Sequence, residues 1–443
     1  MKHLARVFVL LLVVALLLPG CTTKNQTTLN GTDISQFTLV YSQTAPDYCQ
    51  RAAEYIQAQV LDRTGKEIPV CTAESGTYGH EIIVGPTDRV LSEFPETEGE
   101  KLEFYITADD NHIAMYGDYF LIAAAAYYFV ETYIPDGSFK SVIPQEITTC
   151  QPITEKANNF IFLIGDGMGP NHTKLLAEYD VSEFASDSDN ERTFYGNYLP
   201  YQGVIHTGSL SGITDSAAGA TALACGYKTI NSYVGRDEDG NDLLSLTELA
   251  AQKGMATAVM STDQLTGATP AGFSAHASDR DDSETILACV QEKMLAGTIM
   301  IGGLQAEGSY QETISETLAE LDKSENGFFI MYEEGYIDKF SHKKQLEDTL
   351  VAMGQFNQAI GIFMEYAFYH PDTFLIITAD HETGGLMAAE EGGFEFHTES
   401  HTGADVQIFG YGQGAEVFAG YAQENNEVPK VIAKLWGVDD FGG

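Results

Sequence analysis

At 443 residues, with 44% hydrophobic and 11% aromatic content, the chain has enough material for two packed domains and lies outside the disordered class. Its 64 acidic against 23 basic side chains give a formal net charge of −41, which repels nucleic acid and excludes a DNA or RNA role. The six cysteines show no Cys-x-x-Cys metal spacing; Cys49 and Cys71 have the option of pairing in an oxidising compartment, and the rest read mostly as small buried hydrophobes.

Residues 1–6 are basic, 7–18 are an apolar run, and Leu18-Pro19-Gly20-Cys21 closes it. The run is shorter than the roughly 20 residues of a bilayer span, so segment 1–21 is a secretory signal. Its Leu-x-Gly-Cys ending resembles the lipobox of bacterial lipoproteins. That resemblance implies a lipid on Cys21 and an exported protein anchored to the outer face of the bacterial cell membrane. Residues 22–33 are polar and read as a tether.

Segment 34–150 is expected to be a small α+β domain with its own core. Strands are predicted over 37–41, 80–85, 101–107 and 112–117, and helices over 46–63 and 119–133. TG-x-x-IPV (64–70), EIIVGPTDR (81–89) and the strand–strand–helix order that follows resemble the accessory domain of α-glucuronidases and related glycosidases. No catalytic constellation lies there, and the resemblance implies at most carbohydrate binding.

In 151–443 the texture changes to short apolar runs (159–165, 257–262, 298–303, 327–333, 373–379, 406–412) alternating with helical segments (245–254, 282–296, 343–368). Buried strands alternating with helices predict an α/β fold with a largely parallel central sheet flanked by helices, whose functional residues gather at the carboxyl ends of the strands.

Six elements there carry chemistry. Asp166 follows the first strand between two glycines; Ser216 stands just before a small-residue helix, where backbone N–H groups favour an anion. Thr269 is an oxygen donor and Arg280 a fork suited to two phosphate oxygens, with His276 nearby read as structural. Glu333 ends a strand and is followed by Asp338 and His342, spaced to share a helix face. Asp380 and His381 end another strand, and His401 precedes the last.

DGMG, TDSAAGATAL, ATPAG…AH…R, EGYID…H, TADHETGG and HTG-x-DV, in this order over 158–443, resemble the alkaline phosphatase family. The resemblance implies one zinc site of Asp338, His342 and His401 and a second of Asp166, Asp380, His381 and the Ser216 oxygen. It also implies a magnesium site of Asp166, Thr269 and Glu333. Histidine nitrogens with carboxylates suit Zn²⁺, and all-oxygen donors suit Mg²⁺. It further implies hydrolysis of small phosphate monoesters through a phosphoserine on Ser216, with Arg280 holding the phosphate and Lys339 contacting it.

The sequence departs from the family pattern at three places. Glu334 replaces the usual glycine, leaving Glu333 and Glu334 both open as the magnesium ligand. Gly267 replaces the acidic residue often found two positions before the threonine, leaving Lys339 without an evident partner. The intervals 281–332 and 382–400 are short, which implies no large insertion over the site. A phosphodiesterase or related hydrolase of the superfamily, or a surface glycan-binding protein with a secondary phosphatase site, are the alternative readings.

Overall fold

The computed structural model describes residues 26–89, 102–117, 120–178, 193–304, 309–390, 392–420 and 422–443. The expected signal segment with Cys21 and residues 22–25 of the expected tether lie outside the described residues.

The first differences from expectation come at once. Residues 27–33 form a β-hairpin, β1 (Thr27–Leu29) and β2 (Thr32–Asp33), turning at Asn30-Gly31 with φ of 48° and 85°. Leu29 is fully buried. The strands β3 (Phe37–Tyr41), β4 (Val70–Thr72), β5 (His80–Val84), β6 (Phe104–Ala108) and β7 (His112–Gly117) follow. They are interleaved with α1 (Asp47–Thr64) and α2 (Leu121–Tyr133) and followed by β8 (Phe139–Ser141) and β9 (Thr148–Cys150). β8 pairs with β1, and the other six strands make a sheet in the order β4-β3-β5-β7-β6-β9. α1 exists because Ala52, Ala53, Ile56 and Val60 line one face, and it stops at Gly65 in the left-handed conformation. No disulfide joins Cys49 to Cys71, and Cys71, Cys150, Cys225 and Cys289 carry free thiols.

The larger part of the chain supplies β10 (Asn159–Gly165), α3 (Pro170–Glu178), β11 (Tyr201–His206), α4 (Ser216–Cys225), α5 (Leu246–Gln252), β12 (Ala256–Ser261), α6 (Ala268–Gly272), α7 (Ser283–Leu295), β13 (Ile299–Ile301) and α8 (Ser309–Leu321). It continues with β14 (Phe328–Glu334), α9 (Tyr336–His342), α10 (Leu346–Tyr369), β15 (Thr373–Thr378), the short β16 (Glu382–Thr383), β17 (Leu386–Ala388), β18 (Phe394–Phe396) and β19 (His401–Thr402), then β20 (Val406–Tyr411), β21 (Ala422–Glu424) and α11 (Val428–Leu435). The central sheet runs β13-β12-β14-β10-β15-β20-β11-β21. Its first five strands are parallel, β20 is antiparallel to both β15 and β11, and β21 is parallel to β11. The sheet is therefore largely parallel, as expected, with a mixed edge that the sequence did not announce.

The helix expected over 343–368 starts later, at Leu346, and Lys344, with φ of 54°, separates it from α9. α10 packs against the later sheet on one side and against helices of the earlier segment, α1 and α2, on the other. Phe356 and Phe363 pack on Tyr332 of β14. At its far end Phe368 meets Phe120, Tyr369 meets Tyr55 at 4.5 Å, and the Glu365 carboxylate accepts from Nε and Nη2 of Arg51 at 2.8 and 2.7 Å. The buried apolar side chains of both sheets thus form one continuous cluster. Among the described residues no helix is long and apolar enough to cross a membrane.

Candidate functional site

The parallel strands β12, β14, β10 and β15 all end on one side, so the residues that follow them converge. Asp166 follows β10, and its turn needs Gly167, whose φ is +74°. Asp380 follows β15; its Oδ1 accepts from the backbone N–H groups of Gly167 (3.1 Å) and His381 (3.0 Å). Ser216 is the first residue of α4, a helix capped by the Asp215 carboxylate on the Ala218 N–H at 3.0 Å. The hydroxyl of Ser216 is buried and lies 3.1 Å from His381 Nε2.

Three histidines meet here, and their outer nitrogens fix their tautomers. His401 donates from Nδ1 to the Thr214 carbonyl at 2.9 Å, and His342 from Nδ1 to the Glu399 carbonyl at 2.6 Å. Thr383 gives its proton to Asp338 Oδ1, so it accepts from His381 Nδ1 at 3.2 Å. Each Nε2 is left with its lone pair facing inward. His342 and His401 point these at one another across 3.1 Å, 3.3 and 3.5 Å from Asp338 Oδ1. His381 Nε2 lies 3.2 Å from Asp380 Oδ2 and 3.6 Å from Asp166 Oδ1. Two groups result, Asp338–His381–His401 and Asp166–Asp380–His381, each close enough to share one ion. His342 joins the first through Asp338 and His401.

This donor set fits cations. Asp166 Oδ1 and Asp380 Oδ2 are buried without a hydrogen-bond partner, and inward lone pairs with no proton between them need a positive centre. Burial, then the neighbouring carboxylates Asp380 and Asp338, drive the Asp166 carboxyl well above its ordinary range. Burial likewise pushes Asp380 up to about 7 and Glu333 up to about 8.

Strand alternation separates the two adjacent glutamates. Glu333 faces the site, taking the Ser261 hydroxyl, with Thr269 Oγ1 buried beside it in no well-formed hydrogen bond. Glu334 turns the other way and caps α9: its Oε1 accepts from the Tyr336 N–H at 3.0 Å and the Thr262 hydroxyl at 2.9 Å. Lys339 does have an acidic partner, Asp263, and lies 4.6 Å from the Tyr336 ring centre. Asp263 occupies the room that Gly267 leaves, since a Cβ on Gly267 would fall 2.9 Å from its Oδ2. Arg280 Nη1 reaches Asp215 Oδ2 at 3.4 Å, and its charge acts on Asp166 and His381.

Sequence reasoning missed Asp263, Thr383 and Glu382. The last holds the turn after His381 by accepting from the Leu386 N–H at 3.1 Å and the Thr402 hydroxyl. Thr383 was visible inside TADHETGG; Asp263 carried no signal beyond its place after a strand.

His276 takes no part in the cluster. It donates from Nδ1 to the Gly235 carbonyl (2.9 Å) and from Nε2 to Glu248 (3.1 Å), which also receives Lys293 at 2.7 Å. Two acceptors require the doubly protonated ring. Burial opposes this, but Glu248 and the Gly235 carbonyl raise its pKa above the ordinary 6.5. Against its own burial, Glu248 is pulled down from 4.5 to about 2 by His276 and Lys293. The Glu248 contribution to stability is present above pH 4.5 and is lost as pH falls through about 2. The His276 contribution is full below 6.5 and is lost as pH rises through its elevated folded value. His276→Ala is therefore expected to cost about 1–3 kcal/mol at pH 6 and less at pH 9. Denaturant unfolding of both proteins at the two pH values checks this, and an equal cost at both would refute the charged ring.

Residues 157–301 and 299–397, together more than half of the chain, match the family model described as alkaline phosphatase. The chain belongs to the alkaline phosphatase family. Among its relatives, alkaline phosphatase 3 of Bacillus subtilis is 27% identical over 303 residues, covering 55% of this chain and 65% of that protein. The repressible alkaline phosphatase of Saccharomyces cerevisiae is 24% identical, covering 54% and 57%. The chain thus spans less than two thirds of the length of these curated relatives. Among solved structures, the His-to-Glu variant of TAB5 alkaline phosphatase with Mg bound is 27% identical with a TM-score of 0.55, covering 66% of this chain and all of that one. The alkaline phosphatase from the Antarctic bacterium TAB5 gives 26% and 0.54 over the same shares. The alkaline phosphatase fold thus occupies the later part of the chain.

Proposed function

We propose that this alkaline phosphatase family member hydrolyses phosphate monoesters through a phosphoserine on Ser216, with two Zn²⁺ and one Mg²⁺ as cofactors. The observation that carries the reading is the inward convergence of three histidine nitrogens with partnerless oxygens of Asp166 and Asp380, one of those histidines, His381, lying against the Ser216 hydroxyl. Asp338, His342 and His401 would hold one zinc, and Asp166, Asp380 and His381 the other. Asp166, Thr269 and Glu333 would hold magnesium, in keeping with the Mg-bound TAB5 relative. When bound, the ions neutralise the substrate dianion and lower the pKa of the Ser216 hydroxyl.

The remaining steps belong to the chain's own groups. Ser216 Oγ, at the positive end of α4, gives up its proton to solvent and attacks phosphorus; the bond to the ester oxygen breaks and the alcohol leaves with a proton from solvent. Arg280, tethered by Asp215, holds two non-bridging oxygens, and Lys339, tethered by Asp263, adds charge at the rim. Water then cleaves the Oγ–P bond and frees inorganic phosphate. We also propose export and lipid anchoring at Cys21, which the sequence motif supports. Mass spectrometry of the mature protein from its host tests the anchor, and an unlipidated Cys21 removes it.

Release of p-nitrophenol from its phosphate monoester is expected to stop on EDTA treatment and to return with zinc plus magnesium, alongside two Zn and one Mg per chain by elemental analysis. Protein that holds these metals yet leaves the monoester intact, or that works equally well with EDTA, would refute the proposal.

A further inference from the structure

One buried histidine lies outside every motif of the site. His172, in the first turn of α3, is wholly shielded from solvent. Its Nδ1 accepts from the Gly169 backbone N–H at 3.1 Å, and its Nε2 lies 3.1 Å from Ser341 Oγ. Ser341 Oγ lies 2.7 Å from the Ile337 carbonyl, which only accepts, so the serine proton points there and the ring proton sits on Nε2. The ring is neutral, as its burial, which pushes the pKa down to about 4, also requires.

The two ends of this bridge are telling. Gly169 lies three residues past Asp166, and Ser341 lies on α9 between Asp338 and His342. The same two segments also touch directly, because a Cβ on Gly167 would fall 3.0 Å from Asp338 Cα. We propose that His172 is a positioning residue that locks the Asp166 turn to α9 and so fixes the spacing of the two carboxylate–histidine groups. The inference rests on the metal reading above and goes beyond it, since His172 touches neither ligand set. Ligand groups supported from behind in this way lose metal faster when the support is removed.

The test is the rate at which zinc-loaded protein surrenders zinc to a chromophoric chelator. His172→Ala and Ser341→Ala are each expected to speed release by about 10-fold or more. The double variant should be no faster than His172→Ala alone, because that change already removes the hydrogen bond that Ser341→Ala removes. His172→Gln, which returns an amide N–H toward Ser341, should recover part of the retention. Ser341→Ala removes one atom and keeps the test open should His172→Ala fail to fold. Independent, multiplying effects of the two changes, or release unaltered by Ser341→Ala, would overturn the role of His172 while leaving the metal reading intact. A parent protein that binds no zinc would overturn the metal reading itself and this inference with it.

Discussion

Alanine at position 216 is expected to lower turnover of phosphate monoesters by on the order of 10⁴-fold or more while leaving metal content and fold almost unchanged. The separation follows from the division of labour around the residue. Ser216 Oγ is hydrogen-bonded to His381 Nε2 at 3.1 Å, and α4 is capped by Asp215 rather than by Ser216. Deleting that oxygen therefore removes the nucleophile but neither the cap nor the six side chains proposed for zinc. Steady-state kinetics with elemental analysis of the same preparation decides the matter. Near-parental turnover with full metal content would remove Ser216 from the mechanism.

Gly167→Ala is expected to combine a loss of about 2–5 kcal/mol in stability with a fall in activity of about 100-fold. Two effects add. At φ of +74° an alanine is strained, and its Cβ would lie 2.8 Å from Thr383 Oγ1 and 3.0 Å from both Cα and Cβ of Asp338. Those neighbours cannot give way cheaply, because one is backbone and Thr383 ties Asp338 to His381. Gly240, with φ of +84° and open space around it, is the control. Its alanine variant should show only the conformational strain, about 1–2 kcal/mol, with activity intact. Denaturant unfolding and monoester kinetics on the two variants separate strain from collision; equal effects would mean that the contact with Asp338 is unimportant.

Much of the later part of the chain was legible because each central strand is an apolar run that stops at a polar or glycine residue, as at Gly165-Asp166 and Ala379-Asp380. Period-two alternation also held the answer to the neighbouring glutamates, since only one of Glu333 and Glu334 faces the same side as Asp166. What escaped was set by tertiary contacts. β11 buries mainly Ile205 and shows little alternation. The break before α10 depends on the backbone of Lys344, which composition does not reveal. The hairpin at 27–33 did carry a signal, Asn30-Gly31, but its polar flanks hid that Leu29 has somewhere to go. Lys339 found its partner in Asp263 because a glycine elsewhere made space, a relation of volume rather than of spacing.

The position of α10 between the two sheets has a consequence for how the molecule comes apart. Phe368 and Tyr369 rest on rings from the earlier sheet's helices and their flanks, while Phe356 and Phe363 rest on β14 of the later one. Peeling the first sheet away uncovers aromatic surface on the helix that also braces the second, and disturbing the second removes the floor under the first. Partial melting of either therefore forfeits burial in both, and a single cooperative transition in denaturant is expected for the two sheets, although they are built from separate stretches of chain.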